Sequence, residues 1–151
     1  MFIKRKLWGT EVVLARGVKL LCPWDVLSVQ VHADCDEEWR IISCPKGAFV
    51  YAGAKSVPPD GDYAGMIGRL GADAALGRVY VSPGDSILIK RGTIHALTPG
   101  VTVLERRYGH FAAETLRLYD FGRGRSLRIQ EANAVSSDVS RLQEQQNLYS
   151  L

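Results

Sequence analysis

Short apolar runs alternate with turn residues along most of this chain, and this pattern constrains the fold more than any other feature. The runs are only a few residues long, and fifteen glycines and six prolines are spread along the chain. Many short strands separated by turn signals are typical of an all-β sandwich or barrel. The predicted strands cover residues 11–15, 18–21, 26–32, 38–43, 48–52, 77–81, 86–89, 96–97, 101–107, 115–120 and 126–129.

The length of 151 residues predicts a single domain, 1–151, with a barrel core over about 11–130. Residues 55–75 are rich in Gly, Pro and Asp, and we interpret them as a long loop, either an exposed connection or a lid. Residues 136–151 are either a tail or a short C-terminal helix. Ser137 and Asp138 are suitable helix caps there, and Val139, Leu142 and Gln146 follow helical spacing.

The composition argues against several classes of protein. A net charge of +3 is too small to indicate nucleic-acid binding by itself. Three cysteines, an odd number without framework spacing, argue against a disulfide scaffold. No apolar run approaches the ~20 residues that a membrane-spanning helix needs. We therefore expect a reduced, cytoplasmic protein with no nucleic-acid partner and no membrane partner.

Polar side chains share one face of the predicted strand 26–32. Because side chains alternate along a strand, Ser28, Gln30 and His32 point one way, and Val29 and Val31 point the other way. The polar face is either exposed to solvent or lines a functional cavity.

Two further segments supply groups that could bind a metal. Glu37 shares a face with Trp39 and Ile41, which favour burial, so Glu37 is predicted to point inward. A buried carboxylate needs a partner or a metal. Further along, an apolar strand and a turn at Gly92 lead directly to His95, and two of the three histidines thus lie in these segments.

These groups together predict a metal centre on His32, Glu37 and His95, with the amide oxygen of Gln30 as a weak fourth ligand. Imidazole nitrogen and carboxylate oxygen suit Zn, Fe, Mn, Co or Ni. Three or four protein ligands leave positions open, as catalytic metal sites require.

These segments carry a family resemblance. His32 with Glu37 resembles the first cupin motif, and Gly84 with Gly92 and His95 resembles the second, although Lys90 stands where proline is common. The resemblance implies a jelly-roll β-barrel.

More narrowly, the chain from Trp8 to about Ala134 is similar to the metal-binding core of type I mannose-6-phosphate isomerases. The similar segments are 27–32 (LSVQVH), 37–39 (EEW), 92–97 (GTIHAL) and 116–123 (LRLYDFGR). The resemblance implies one divalent ion, zinc in that family, on Gln30, His32, Glu37 and His95. It also implies that Arg117 contacts the substrate.

The chain departs from that family at two places, and family members are much longer. The family has a lysine two residues before its ligand glutamate, where this chain has Cys35. The family also has an acidic or amide cluster before its arginine, where residues 107–114 read RYGHFAAE.

The leading hypothesis is a metal-dependent aldose–ketose isomerase that acts on a sugar or sugar phosphate. Proton transfer between adjacent carbons requires a base within reach of the substrate. The candidates for catalytic roles are Glu105, Glu114, His110 and Arg117. Glu105 either enters the barrel with Val103 or pairs with Arg106 or Arg107. The candidates for substrate binding are Arg117, Arg123, Lys55 and Trp39.

Other hypotheses stay open. The cluster Arg117, Arg123, Arg125 and Arg128 is either a solvated edge or the rim of a pocket that attracts an anion. Cys35 and the altered acidic segment favour a non-catalytic, metal-containing cupin that binds sugars or regulates another process. Two His and one carboxylate also describe iron-dependent oxygenases. A metal-free sugar-nucleotide epimerase would leave Glu37 unexplained. A homodimer is expected by analogy with other cupins.

Overall fold

In the computed structural model of the chain, which describes residues 1–110 and 114–136, eleven strands form two antiparallel sheets. The first sheet has the order β1-β2-β3-β10-β5-β8, and the second has the order β11-β4-β9-β6-β7. This arrangement confirms the predicted all-β, jelly-roll fold. The strands are β1 (Phe2–Arg5), β2 (Gly9–Ala15), β3 (Val18–Pro23), β4 (Val29–Val31), β5 (Cys35–Ser43), β6 (Phe49–Ala54), β7 (Leu76–Tyr80), β8 (Ser86–Ile89), β9 (His95–Ala96), β10 (Thr102–Gly109) and β11 (Leu116–Tyr119).

One apolar core lies between the two sheets. On β5, Trp39 and Ile41 are each 1% exposed, whereas Arg40 between them is exposed, as strand alternation requires. Further buried residues of this cluster are Trp8, Leu21, Leu27, Val50, Val81, Ile89, Leu97, Val101 and Val103. The same alternation directs Glu37 on β5 and Glu105 on β10 into the interior, where both are buried.

Helices cover the outer face of the second sheet. Helix α1 (Tyr63–Leu70) and α2 (Ala72–Ala75) pack there, together with a helical segment over residues 129–136, which we call α3. The prediction of a long loop or lid over 55–75 is therefore wrong for most of that segment. Tyr63, Met66 and Ile67 follow helical spacing and are buried, and the Asp62 carboxylate caps α1 by accepting from the Gly65 N–H at 2.9 Å. The interspersed glycines obscured this pattern.

Ten of the eleven predicted strands are present, with shifted ends. The predicted strand 126–129 is wrong, because α3 begins at residue 129. Asn133 fixes α3 against α1 by donating to Asp62 at 3.0 Å and accepting from the Ala64 N–H at 3.1 Å. A C-terminal helix is thus present, but earlier than expected, and the predicted helical residues after Ser136 lie outside the described part. Within residues 1–110 and 114–136, no helix is long and apolar enough to cross a membrane.

Candidate metal centre

His32, Glu37 and His95 meet in the interior because their strands are neighbours. His32 directly follows β4, and His95 opens β9 opposite Gln30 of β4. The turn before His95 has Gly92 at a φ of 80°, a conformation that favours glycine, and the Gly92 N–H donates to the His32 carbonyl at 2.7 Å. Both histidine segments are thereby linked through the backbone.

A second link joins this turn to the strand that carries the glutamate. The Asp36 carboxylate accepts from the backbone N–H of Arg91 at 2.8 Å and from its Nε at 3.3 Å. Because Asp36 immediately precedes Glu37, this contact ties the turn before His95 to β5. Local turns and neighbouring strands therefore hold all three side chains in place.

The three side chains converge on a small volume. The Nε2 atom of His32 lies 2.7 Å from Glu37 Oε1, and Nε2 of His95 lies 3.1 Å from the same oxygen. The candidate ligand atoms all lie within 4.8 Å of one another, and each residue is at most 2% exposed. The three residues therefore form a buried, closely spaced donor set.

Backbone carbonyls determine which nitrogen of each imidazole faces the centre. His32 Nδ1 lies 3.1 Å from the Glu114 carbonyl oxygen, and His95 Nδ1 lies 2.8 Å from the Thr93 carbonyl oxygen. A carbonyl can only accept, so each Nδ1 carries the hydrogen. In its neutral form, each ring then presents an Nε2 lone pair to the centre, as metal-ligating histidines do.

This donor set fits a metal ion. With both rings in this tautomer, two nitrogen lone pairs face the oxygens of Glu37, and no buried hydrogen lies between them. Both Nε2 atoms and both Glu37 oxygens lack a hydrogen-bond partner among the described residues. Buried acceptors without a donor are costly. A cation between them would satisfy all three side chains.

A second buried carboxyl group, Glu105, lies beside Glu37. Burial raises the pKa of Glu37, but the adjacent Glu105, His32 and His95 side chains outweigh it and hold the pKa well below its usual range. Burial, followed by the charge of Glu37, raises the pKa of Glu105 well above its usual range. The pKa values of the two adjacent carboxyl groups are therefore shifted in opposite directions.

A cavity of about 230 Å³ opens beside Glu105. Gln30, Glu105 and Arg117 line it, and Gln30 and Arg117 are cross-strand partners on β4 and β11. The amide oxygen of Gln30 accepts from the Ser28 hydroxyl at 3.0 Å. The cavity also carries many cations, namely Lys4, Lys6, Lys19, Arg107, Arg117 and Arg125.

Arg117 is a half-buried cation of this cavity. Its Nε atom is buried, and no described residue accepts a hydrogen bond from it. Burial, followed by the charge of Arg125, lowers the pKa of Arg117. A buried guanidinium of this kind needs an anionic partner.

Proteins of known function share this fold. Mannose-6-phosphate isomerase ManA of Bacillus subtilis is 34% identical over 110 residues, which are 64% of this chain and 34% of ManA. The mannose-6-phosphate isomerase of Streptococcus mutans is 31% identical over 148 residues, which are 85% of this chain and 46% of that protein. The crystal structure of the mannose 6-phosphate isomerase from Bacillus subtilis superposes with a TM-score of 0.69 at 27% identity, over 79% of this chain and 43% of that one.

The chain is a cupin with a fold related to the mannose-6-phosphate isomerases. It spans between 34% and 46% of the length of the curated relatives named above. No protein-family model matches the chain.

Not every residue predicted for this cupin's site reaches it. The Glu114 side chain is 71% exposed and pairs with Arg128 at 3.1 Å, so only its backbone carbonyl serves the centre, through His32. His110 is exposed and directly follows β10, and its backbone N–H donates to the Asp34 carbonyl at 3.1 Å.

Two predicted substrate-binding cations are held elsewhere. Lys55 donates from Nζ to the Asp73 carbonyl of α2 at 2.7 Å, on the outer side of the second sheet. Arg123 donates to the Val26 carbonyl at 2.6 Å and to the buried Asp120 carboxylate at 2.9 Å. Neither residue lines the cavity.

Trp39 contacts residues of the centre but does not line the cavity. Its indole N–H donates to Glu105 at 3.1 Å, and its ring meets His95 edge-on at 5.5 Å between centroids. Cys35 is also buried, and burial, reinforced by the charge of Glu37, raises the pKa of its thiol to about 11.

Sequence reasoning missed the lysines of the cavity and the role of Arg107. The guanidinium Nε of Arg107 lies 3.8 Å from oxygens of both Glu37 and Glu105. Strand alternation places Arg107 on the same face as Glu105 and could have indicated this position. No local pattern indicates Lys4 or Lys6, because β1 has four exposed residues.

Proposed function

We propose that this cupin is a metal-dependent aldose–ketose isomerase that acts on a sugar or sugar phosphate, most similar in chemistry to a mannose-6-phosphate isomerase. The observation that carries the proposal is the buried His32, Glu37 and His95 donor set beside a cationic cavity. The names of the relatives support the class of substrate.

In this proposal His32, Glu37 and His95 hold one divalent ion, which is zinc, with Gln30 as a further ligand. Iron, manganese, cobalt and nickel suit the same donors. When bound, such an ion supplies Lewis acidity that polarises a carbonyl or hydroxyl oxygen. Trp39 and the backbone carbonyls of Thr93 and Glu114 keep the ligands in orientation.

Glu105 is the candidate for proton transfer, because of its position. It lines the cavity, lies beside Glu37, and is held by the indole N–H of Trp39. The other carboxylate of the cavity, Glu11, is bound by Lys19 at 3.1 Å. A carboxyl group that faces the bound sugar can move a proton between adjacent carbons as general base and acid.

Arg117 is the candidate for holding an anionic substituent of the substrate. Its buried Nε lacks an acceptor among the described residues, and a guanidinium suits bidentate contacts to phosphate. A phosphate there would anchor the sugar beside Glu105.

A second candidate function is a non-catalytic, metal-containing cupin that binds sugars. Cys35 favours it, since the resemblance leads us to expect a lysine at that buried position. Cytoplasmic location and a homodimer stay predictions.

Two measurements test the proposal. Metal analysis of protein purified without added metal should find about one equivalent, which His32→Ala and His95→Ala remove. A coupled assay over a panel of aldoses, ketoses and their phosphates should then show interconversion by the wild type. Stoichiometric metal without turnover on the whole panel would favour the sugar-binding candidate, and unchanged metal in both variants would reject the site.

A further inference from the structure

The N-terminal hairpin forms part of the wall of the cavity beside the metal centre. Strands β1 and β2 are joined by a turn in which the Lys6 N–H donates to the Gly9 carbonyl at 2.7 Å and the Gly9 N–H donates back at 3.3 Å. Trp8 in this turn is 6% exposed and belongs to the core between the sheets. Its carbonyl accepts two backbone hydrogen bonds, from Trp24 and Asp25, both at 2.9 Å. The buried indole and these bonds fix the hairpin to the barrel.

This hairpin presents two lysines to the cavity. Lys4 of β1 and Lys6 of the turn both line it. Lys4 lies across from Glu11 on β2, but the Glu11 carboxylate is already bound by Lys19 at 3.1 Å. Over the described residues, no carboxylate forms an ion pair with Lys4 or Lys6. Their ammonium groups are therefore available to a ligand.

The second sheet supplies the matching cation. Arg117 of β11 has a buried Nε without an acceptor among the described residues. Arg125 lines the same cavity but is bound by the Asp120 carboxylate at 2.6 Å. Lys4, Lys6 and Arg117 are therefore three cations around one cavity that form no ion pair with any carboxylate of the described residues.

We propose that Lys4 and Lys6 bind the anionic group of the substrate together with Arg117, and that they determine the preference for a phosphorylated sugar over the free sugar. This proposal rests on the proposed function for the identity of the substrate. A phosphate monoester carries close to two negative charges at neutral pH and offers several acceptor oxygens. Arg117 alone provides one positive charge, and the lysines of the hairpin provide the rest.

The test uses the metal-loaded full chain and the double variant Lys4→Gln with Lys6→Gln. Both lysines are exposed, so the variant should fold, which its melting curve verifies. Titration with inorganic phosphate should show an affinity about three- to tenfold weaker than that of the wild type, as expected for two exposed charge pairs. The difference should shrink in about 0.5 M salt, because exposed charges are screened. The KM for mannose 6-phosphate should rise by a similar factor, whereas binding of free mannose should not change.

Arg5→Gln is the matched control. Arg5 lies between the two lysines in the sequence but does not line the cavity, and its replacement removes one positive charge where the double variant removes two. Its phosphate affinity should stay within about twofold of the wild type. Equal phosphate affinity in the double variant and the wild type would overturn the proposal, as would an equal loss in Arg5→Gln. If the wild type turns over no sugar phosphate, the proposed function fails, and the phosphate titration still decides the role of the lysines.

Discussion

Metal binding should stabilise this cupin, and replacing one imidazole of the centre should abolish the stabilisation. A ligand that binds only the folded state adds RT ln(1 + [L]/Kd), which is about 2.7 kcal/mol at one hundred times Kd. For a domain of this size, 1 kcal/mol shifts Tm by about 2–4 °C. The wild type should therefore melt about 5–11 °C higher with zinc at that concentration than after chelation.

His95→Gln removes one of three converging ligand atoms. Loss of a supporting residue alone costs about 10- to 100-fold in metal affinity, so loss of a ligand should cost at least about 100-fold. At the same zinc concentration the metal then adds at most about 0.4 kcal/mol, and the shift in Tm falls to about 1–2 °C. His95 also donates to the Thr93 carbonyl at 2.8 Å, so the metal-free variant starts from a lower Tm. The comparison is therefore the metal-induced shift within each protein.

Differential scanning calorimetry with zinc and with a chelator measures these shifts. His110→Gln is the matched control, since it removes the third histidine of the chain at an exposed position. His32→Gln should behave as His95→Gln does, and His110→Gln should keep the full shift. A full shift in His95→Gln, or an equal loss in His110→Gln, would refute the assignment of the centre.

Three further substitutions test other parts of the molecule. Glu105→Gln should lower isomerase turnover about 10²- to 10⁴-fold in the coupled assay and keep the metal content of the wild type. Asp62→Ala removes the cap on the Gly65 N–H and should lower the free energy of unfolding in urea by about 1–2 kcal/mol. Asp120→Asn should cost about 3–5 kcal/mol at pH 7, because Arg125 then lacks its buried partner. Burial raises the pKa of Asp120, but its hydrogen bond with Arg125 and the nearby positive charges lower it overall. Its stabilisation is therefore present above the ordinary aspartate pKa near 3.9 and is lost as the pH falls through the lower, folded-state value. Urea curves for the two proteins should begin to converge below about pH 4 and should coincide only below the folded-state pKa of Asp120.

The convergence of His32, Glu37 and His95 could be predicted from the sequence because their geometry is local. Alternation along β5 places Glu37 on the same face as Trp39, and burial of the indole forces the carboxylate inward. The turn at Gly92 precedes His95 directly and fixes where β9 begins. In each case, a few consecutive residues determine where the side chain lies.

The rest of the site depends on contacts between distant segments. The sequence makes Glu114 a candidate for catalysis. Its contact with the centre is made by the backbone carbonyl, which lies against His32 although the two residues are 82 positions apart. Arg117 and Arg123 look alike in the sequence. Asp120 binds Arg123, however, whereas Arg117 has no ion-pair partner among the described residues. Which cation a carboxylate selects depends on side-chain direction after the turn, and spacing alone does not reveal it.

Cys35 and Arg107 together determine the positive charge beside Glu37. Cys35 and Arg107 both face the interior beside Glu37, Arg107 as its direct cross-strand partner. A lysine at position 35, as the resemblance leads us to expect, would place a second cation near the Arg107 guanidinium, whose Nε lies 3.8 Å from Glu37. Like charges repel strongly in a buried, poorly solvated environment. With Cys35 uncharged and Arg107 present, the interior keeps one cation beside its paired carboxyl groups. The positive charge beside Glu37 therefore comes from β10, whereas the resemblance leads us to expect a lysine on β5.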